Sequence, residues 1–402
     1  MIDRRGFISA AGIGLVGNSL KMPERPAATA TPNKDPAYGP WIEVDSEALR
    51  TNVARVYELA GRRPILAVVK NNAYGLGLQE TASILEPMPE IGGFAVVKPE
   101  AAADLRTWGL EKPVLLMGLA DDDASVELAR KGVELSLYLD DSVARAKHVF
   151  EATGSKVAGQ IYLDTGMGRM GIESHRALPW LADLSSSGLV DVRGTFMAFT
   201  ENPDFDQEQL LRFKSFADQA KAAGAALGRL HAASSNGVYH LPEAHLDMVR
   251  PGIALFGAYP SRPDEERAKQ ALTSAVRLCA RVVRVQRLRI GDGVSYGRNY
   301  VAEQPTWTAT LPVGHTDGYP RGAVEGAQAL IGEQLYPIIG AVSASHCIVE
   351  VGDEPLVAVG DKAVLLGSDR PEIEPNNIAE ASSSSVYDIL MHLNPQLPRV
   401  VV

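Results

Sequence analysis

Ala67-Val68-Val69-Lys70-Asn71-Asn72-Ala73-Tyr74-Gly75-Leu76-Gly77 joins a buried type of strand to a single amine. Ile65 to Val69 reads as a short strand with apolar residues on both faces, and it stops at Lys70; Tyr74 and two glycines follow at once. An amine delivered to the end of a core strand stands against an apolar wall, which lowers its pKa and makes it a nucleophile toward a carbonyl carbon. Alone, Val-Val-Lys reads first as a lysine that ends a strand in water. The rest of the chain decides between the two.

Outward from this stretch, strand-like runs alternate with helical patterns. The strand candidates are Ile65–Val69, Gly93–Val97, Val114–Met117, Val133–Tyr138, Gly159–Leu163, Val192–Met197, Arg229–Ala233 and Met248–Leu255. Helix candidates such as Glu100–Trp108, Ala124–Arg130, Ser142–Glu151 and Asp206–Ala226 lie between them. This α/β alternation predicts a (β/α)8 TIM-like barrel over residues 40–264, with chemistry at the C-terminal ends of the strands. Lys70, Arg169, Ser235 and Arg250 fall at or near such ends. Before the barrel, Trp41 to Asp45 reads as a strand that could equally join a second domain, and Ser46 as the cap of a helix with Leu49, Val53 and Val56 on one face. From residue 265 to 402 short β-type runs (Val276–Val285, Thr308–Pro312, Leu335–Ile339, Cys347–Val351, Lys362–Leu366) predict a mostly β C-terminal domain, with strong helical patterns scarce until Ile378 to Leu393.

The 402 residues exceed one ordinary domain, and 46% apolar residues suffice for a real core. A net charge of -10 argues against nucleic acid or an anionic membrane surface as partner. Cys279 and Cys347 form no disulfide framework and read as buried thiols. His315 and His346 lack a second ligand at useful spacing, so no metal site is expected. At the N-terminus, Arg4-Arg5 precede an apolar run from Phe7 to Val16, and Ala28-Thr29-Ala30 offers a small-x-small cleavage site. Residues 1–30 therefore resemble a twin-arginine export signal, followed by a linker at 31–39. The expectation is a periplasmic protein with no stable membrane anchor after cleavage, since the apolar run is too short to span a bilayer.

Four stretches, in order, resemble bacterial alanine racemases: the lysine stretch, Asp164-Thr165-Gly166-Met167-Gly168-Arg169-Met170-Gly171, Met248-Val249-Arg250-Pro251-Gly252-Ile253-Ala254-Leu255-Phe256-Gly257, and Val294-Ser295-Tyr296-Gly297 with Leu311 to Arg321. The resemblance covers residues 40 to 402. It implies a pyridoxal 5'-phosphate (PLP) enzyme acting on a free amino acid by two-base exchange of the α-proton. Lys70 would hold PLP covalently and act as one base. Tyr296 would be the other, contributed across the interface of a homodimer with shared active sites; two bases on opposite faces are what racemisation needs. Arg250 would hydrogen-bond the pyridine nitrogen, and Tyr74, Ser235, Gly252 and Ile253 would hold the phosphate. Arg169 would meet the substrate carboxylate.

The chain also departs from the family pattern. Ala198 stands where the family has a histidine linking the catalytic tyrosine to the arginine at the pyridine. Tyr162 replaces a carboxylated lysine that positions the residue matching Arg169. Ser234-Ser235 replaces an Asn-Ser pair, His315 an entrance tyrosine, Ala344-Ser345 a Met-Asp pair lining the substrate site from the second domain, and Pro395 a tyrosine on the phosphate side. Several of these changes put small residues for large ones, so the expectation is a substrate larger than alanine, or a broad range. The alternatives are an aldolase, lyase or decarboxylase on the same fold, and a PLP-binding protein without turnover.

Overall fold

The computed structural model describes residues 38–260 and 271–402. The expected export signal and the linker up to residue 37 lie outside the described residues. The first described strand, β1 (Trp41–Val44), does not enter the barrel. It leads into the helix Ser46–Leu59, whose cap is Asp45 rather than Ser46: the Asp45 carboxylate accepts from the Ala48 N–H at 2.9 Å. The Ser46 hydroxyl instead donates to the carbonyl of Val402. Leu49, Val53 and Val56 form the buried face.

Parallel strands then follow: β2 (Ile65–Val68), β3 (Ile91–Val96), β4 (Val114–Leu116), β5 (Glu134–Leu137) and β6 (Val157–Asp164), with a short β7 (Ile172–Glu173) paired to the end of β6, then β8 (Val190–Phe196) and β9 (Arg229–His231). Helices Pro99–Thr107, Asp122–Arg130, Ser142–Thr153 and Pro203–Ala222 lie between strands. The last stave is residues 248–251. Met248 bridges His231 and Val249 bridges Ile65, both in parallel. The N–H of Leu66 donates to Val249 O at 2.8 Å and that of Val68 to Pro251 O at 3.0 Å, which closes the barrel. The strand expected to run to Leu255 stops early. Pro251 has no N–H for a ladder, and residues Ile253–Phe256 turn into a 3-10 helix.

The C-terminal domain comprises β10 (Val276–Arg281), β11 (Arg284–Leu288), β12 (Gly293–Val294), β13 (Tyr300–Val301), β14 (Thr306–Leu311), β15 (Gln328–Ile331), β16 (Gln334–Ile339), β17 (Cys347–Gly352), β18 (Lys362–Leu366) and β19 (Arg399–Val401). The expected single run Val276–Val285 is two strands. Nine strands form one sheet in the order β11-β14-β17-β16-β15-β18-β10-β1-β19, so β1 lies antiparallel to β10 and parallel to β19. The chain therefore starts in the β domain, builds the barrel and returns. One buried apolar cluster continues from the barrel into this domain. Fully burying each of its large side chains, such as Phe94, Phe196 and Phe213, contributes about 1.5–3 kcal/mol. Both cysteines are buried free thiols. Among the described residues no helix is long and apolar enough to cross a membrane.

Candidate active site

Lys70 follows the last residues of β2 at the C-terminal rim of the barrel. The backbone beyond it makes a left-handed turn: Asn71, Asn72, Ala73 and Tyr74 have φ of 53°, 56°, 51° and 53°. Left-handed geometry costs an L-residue about 1–2 kcal/mol, least for Asn, so the surroundings must hold this turn in place. Asn72 Oδ1 accepts from the Leu78 N–H at 2.8 Å, and the Gly77 N–H donates to Asn72 O at 3.0 Å. From the β domain, Arg399 Nη2 donates to Gly75 O at 2.9 Å. Gly75, with φ of 88°, lies so close to the C-terminal helix that a Cβ there would stand 2.1 Å from Leu390 O. The two domains thus meet at the lysine turn.

A cavity of about 610 Å3 opens at this rim, within the range of small-molecule sites. Lys70, Tyr74, Arg169, Ser235, Arg250, Gly252 and Ile253 all line it. Lys70 is held below the ordinary lysine pKa, first by burial and then by the Arg169 cation, while Glu201 acts in the opposite sense. Glu201 lines the same cavity, with φ of 63°.

Arg250 is buried and held from several sides. Its Nη1 donates to His231 Nδ1 at 2.9 Å and to His231 O at 2.8 Å, and its Nη2 donates to the carbonyls of Met197 and Ala232. Nε takes part in none of these bonds. The guanidinium carbon lies 5.1 Å from the centre of the Phe196 ring. Burial lowers the Arg250 pKa to about 10, which leaves it a cation and a donor at neutral pH. Beneath it Tyr138, Tyr162, Phe196 and His231 form a row of ring contacts, with Tyr162 stacked on Phe196 at 4.3 Å. Tyr162 therefore packs as part of this aromatic floor, and Arg169, which is exposed, has no hydrogen bond or ion pair to it. What shapes the Arg169 loop is Asp164. Its carboxylate accepts from the backbone N–H groups of Gly166, Met167 and Gly168 at 2.8, 2.8 and 3.0 Å.

Another part of the cavity lining suits a phosphorylated ligand. Ser235 opens the helix Ser235–His240, and its hydroxyl accepts from the N–H groups of Gly252 and Ala254 at 3.0 and 3.2 Å. The neighbouring Ser234 Oγ is buried without a hydrogen-bond partner. Tyr74 packs against Phe256, ring centres 5.0 Å apart, and burial raises its pKa, so its hydroxyl remains a donor. An amine at the strand end, a permanent guanidinium donor and a set of hydroxyls with backbone N–H groups, all on one cavity, match the three functions of PLP: its aldehyde, ring nitrogen and phosphate.

Tyr296 and Ala344 stand apart from this cavity. Tyr296 lies in a short turn of the β domain and is 78% exposed; Ala344 is exposed in the loop before β17. Pro395 does not line the cavity, whereas Tyr387, on the C-terminal helix Val386–Met391, does, with its ring centre 6.4 Å from that of Tyr74. The signal available for it was an aromatic within the helical pattern from Ile378 to Leu393. Ala198 lies just past the end of β8 and lines the cavity, so no imidazole approaches Arg250 from there; His231, on the next strand, does. Among the described residues no group of His, Cys, Asp and Glu side chains is arranged to hold a metal ion.

Comparison with known proteins places the same features in one family. The model of the alanine racemase N-terminal domain matches residues 44–260, and that of the alanine racemase C-terminal domain matches residues 275–401. The alanine racemase of Desulforamulus reducens is 30% identical over 370 residues, which are 90% of this chain and 98% of that protein. That of Carboxydothermus hydrogenoformans is 33% identical over 370 residues, 90% of this chain and 99% of that one. The crystal structure of alanine racemase from D-cycloserine-producing Streptomyces lavendulae superposes with a TM-score of 0.82 at 28% identity, covering 92% of this chain and 98% of that one.

Proposed function

This chain belongs to the alanine racemase family, and we propose that it racemises free amino acids larger than alanine, or a broad range of them, in a homodimer with shared active sites. It is a PLP-dependent amino-acid racemase, an isomerase with a (β/α)8 barrel and a β domain. When bound, PLP supplies an aldehyde that condenses with an amine and a conjugated ring that acidifies the α C–H bond of the attached amino acid. The protein supplies the rest. Lys70, with its lowered pKa, gives up a proton readily and so can take one from the α-carbon on one face. Arg250 presents a fixed cation at the ring pole, and Arg169 a cation at the mouth for the substrate carboxylate. Tyr296 would serve the other face. Its exposure on the β domain, away from the cavity of its own chain, supports delivery to a neighbouring protomer.

The observation that carries the substrate range is Ala198 in the cavity wall. A methyl group there leaves room beside Lys70 and Arg250 that an imidazole would fill. The test is α-proton exchange in deuterated water over a panel of L-amino acids, followed by chiral chromatography. Exchange is expected for several side chains longer than that of alanine, with no change in mass apart from the label. Turnover of alanine alone would end the broad-range reading. A change in mass would favour a lyase or decarboxylase instead.

The twin-arginine pattern at the N-terminus supports export of the folded, loaded enzyme to the periplasm. Fractionation of cells carrying the full chain tests this, with Arg4→Lys and Arg5→Lys together expected to retain the protein in the cytoplasm. Equal periplasmic amounts for both forms would refute it.

A further inference from the structure

Behind Arg250 a line of polar side chains crosses the barrel interior toward its lower end. Glu134 on β5 accepts from Gln160 Nε2 at 2.5 Å. Gln160 Oε1, from β6, stands 2.7 Å from His231 Nε2, on β9. His231 Nδ1 stands 2.9 Å from Arg250 Nη1. Gln160 and His231 are buried, Glu134 is partly so, and no metal or phosphate chemistry needs any of the three.

The direction of every link follows from the two ends. A guanidinium can only donate, so His231 Nδ1 must present its lone pair to Arg250. A neutral imidazole then carries its proton on Nε2 and donates it to Gln160 Oε1. With its oxygen engaged, the Gln160 amide points its NH2 at Glu134, and an ionised carboxylate, which can only accept, terminates the line. Protonation of His231 would set an N–H of Nδ1 against the guanidinium. Burial and the Arg250 and Arg229 cations disfavour that state. Burial, the largest effect, raises the Glu134 pKa; the Gln160 hydrogen bond and the Arg193, Arg106 and Arg229 cations act in the opposite sense and favour its ionised form.

We propose that Glu134 is a positioning residue for racemisation: through Gln160 it fixes His231 as the Nε2–H tautomer, and thereby fixes the guanidinium of Arg250 in the orientation it offers to the cofactor ring. Replacing the carboxylate by an amide removes the one group that can only accept. Gln160 is then free to turn over, His231 to change tautomer and Arg250 to lose its lone-pair partner. The proposal rests on the reading of Arg250 as the residue at the ring nitrogen, but its first test does not.

That test is side-chain 15N NMR of the cofactor-free full chain, with the His231 signals identified by their absence in His231→Gln. In the wild type, His231 is expected neutral at pH 7, Nε2 carrying the proton and Nδ1 unprotonated. A proton on Nδ1, or an imidazolium, overturns the proposal without any variant. In Glu134→Gln both nitrogens should move to intermediate shifts, while Glu134→Asp, which keeps the charge, should retain the wild-type tautomer. An unmixed Nε2–H tautomer in Glu134→Gln overturns the proposal. In the holoenzyme, Glu134→Gln should lower kcat about tenfold or more, the usual scale for an outer partner that orients a site residue, with little change in KM. Tautomer mixing without a fall in kcat would keep the relay but refute its part in racemisation.

Discussion

The hydroxyl of Tyr74 occupies the space in which a side chain at Gly252 would begin. A Cβ built on Gly252 would stand 2.1 Å from Tyr74 Oη and 2.7 Å from its Cζ. Tyr74 is buried against Phe256 and cannot swing away freely. Gly252→Ala is therefore expected to push the ring out of place at a cost of about 1–3 kcal/mol, the usual range for overpacking. The protein should unfold at lower temperature, and PLP should bind about tenfold or more weakly, as titration of cofactor absorbance would show.

Lys70 is depressed by burial and by Arg169, and raised by Glu201. Removing the anion with Glu201→Gln should lower its pKa further; removing the cation with Arg169→Gln should raise it. The check is the pH dependence of amine labelling at Lys70 in the cofactor-free protein, and shifts in the same direction for both variants would contradict it. The linkage has a definite sign. Between the depressed folded value and about 10.4, the ordinary value for an unfolded chain, the unfolded state binds more protons, so this group makes stability rise with pH across that window.

Asp164 holds three successive backbone N–H groups of the loop that carries Arg169. Asp164→Ala removes these charge-assisted bonds, the stronger kind of hydrogen bond, and should loosen the loop. If Arg169 in this loop meets the substrate carboxylate, KM for the amino acid should rise more than kcat falls, because the loop then binds substrate and holds no base. Hydrogen exchange at residues 166–168 should quicken in parallel.

Tyr296 and Lys70 lie in different parts of one chain, one exposed on the β domain and the other in the cavity. If each site takes Lys70 from one protomer and Tyr296 from its partner, Lys70→Ala and Tyr296→Phe proteins should each lose about 10²- to 10⁴-fold in kcat. Dissociated and re-associated together, they should regain activity at roughly a quarter of all sites by random pairing. No recovery on mixing would mean that the site is complete within one chain.

Ala198 lines the same cavity as Lys70 and Arg250. Ala198→Met should lower kcat/KM for long side chains about tenfold or more while sparing alanine, since a filled pocket discriminates by volume. Equal losses for all substrates would show that residue 198 does not face the substrate side chain.

The Lys70 stretch could be recognised in the sequence because a core strand that ends in one amine has few uses. Arg169, Ser235 and Arg250 could be placed with it because parallel barrel strands present their C-terminal ends at a single rim, so residues far apart in the chain gather without any knowledge of packing; Gly252 and Ile253 came only with the family resemblance. Apolar runs broken by Gly and Pro marked most of the strands; Met248–Leu255 failed where Pro251 interrupts the ladder, and Val276–Val285 is two strands rather than one. The left-handed turn after Lys70 could not be read from the sequence. It exists because contacts from Arg399 and Leu390, more than three hundred residues away, compensate a locally unfavourable backbone.

By itself, then, the sequence determined the staves of the barrel, the amine at the end of one of them and the residues that face the same rim. These depend on local period and on the direction of strands. Only the tertiary structure decided that Tyr387 rather than Pro395 enters the cavity, that Glu201 stands within electrostatic reach of Lys70, that Tyr162 joins an aromatic floor, and that Glu134, Gln160 and His231 stand in line behind Arg250. Hydrogen bonds and ring contacts between side chains act over a few ångströms in space, and no spacing along a chain encodes which distant residues will come that close.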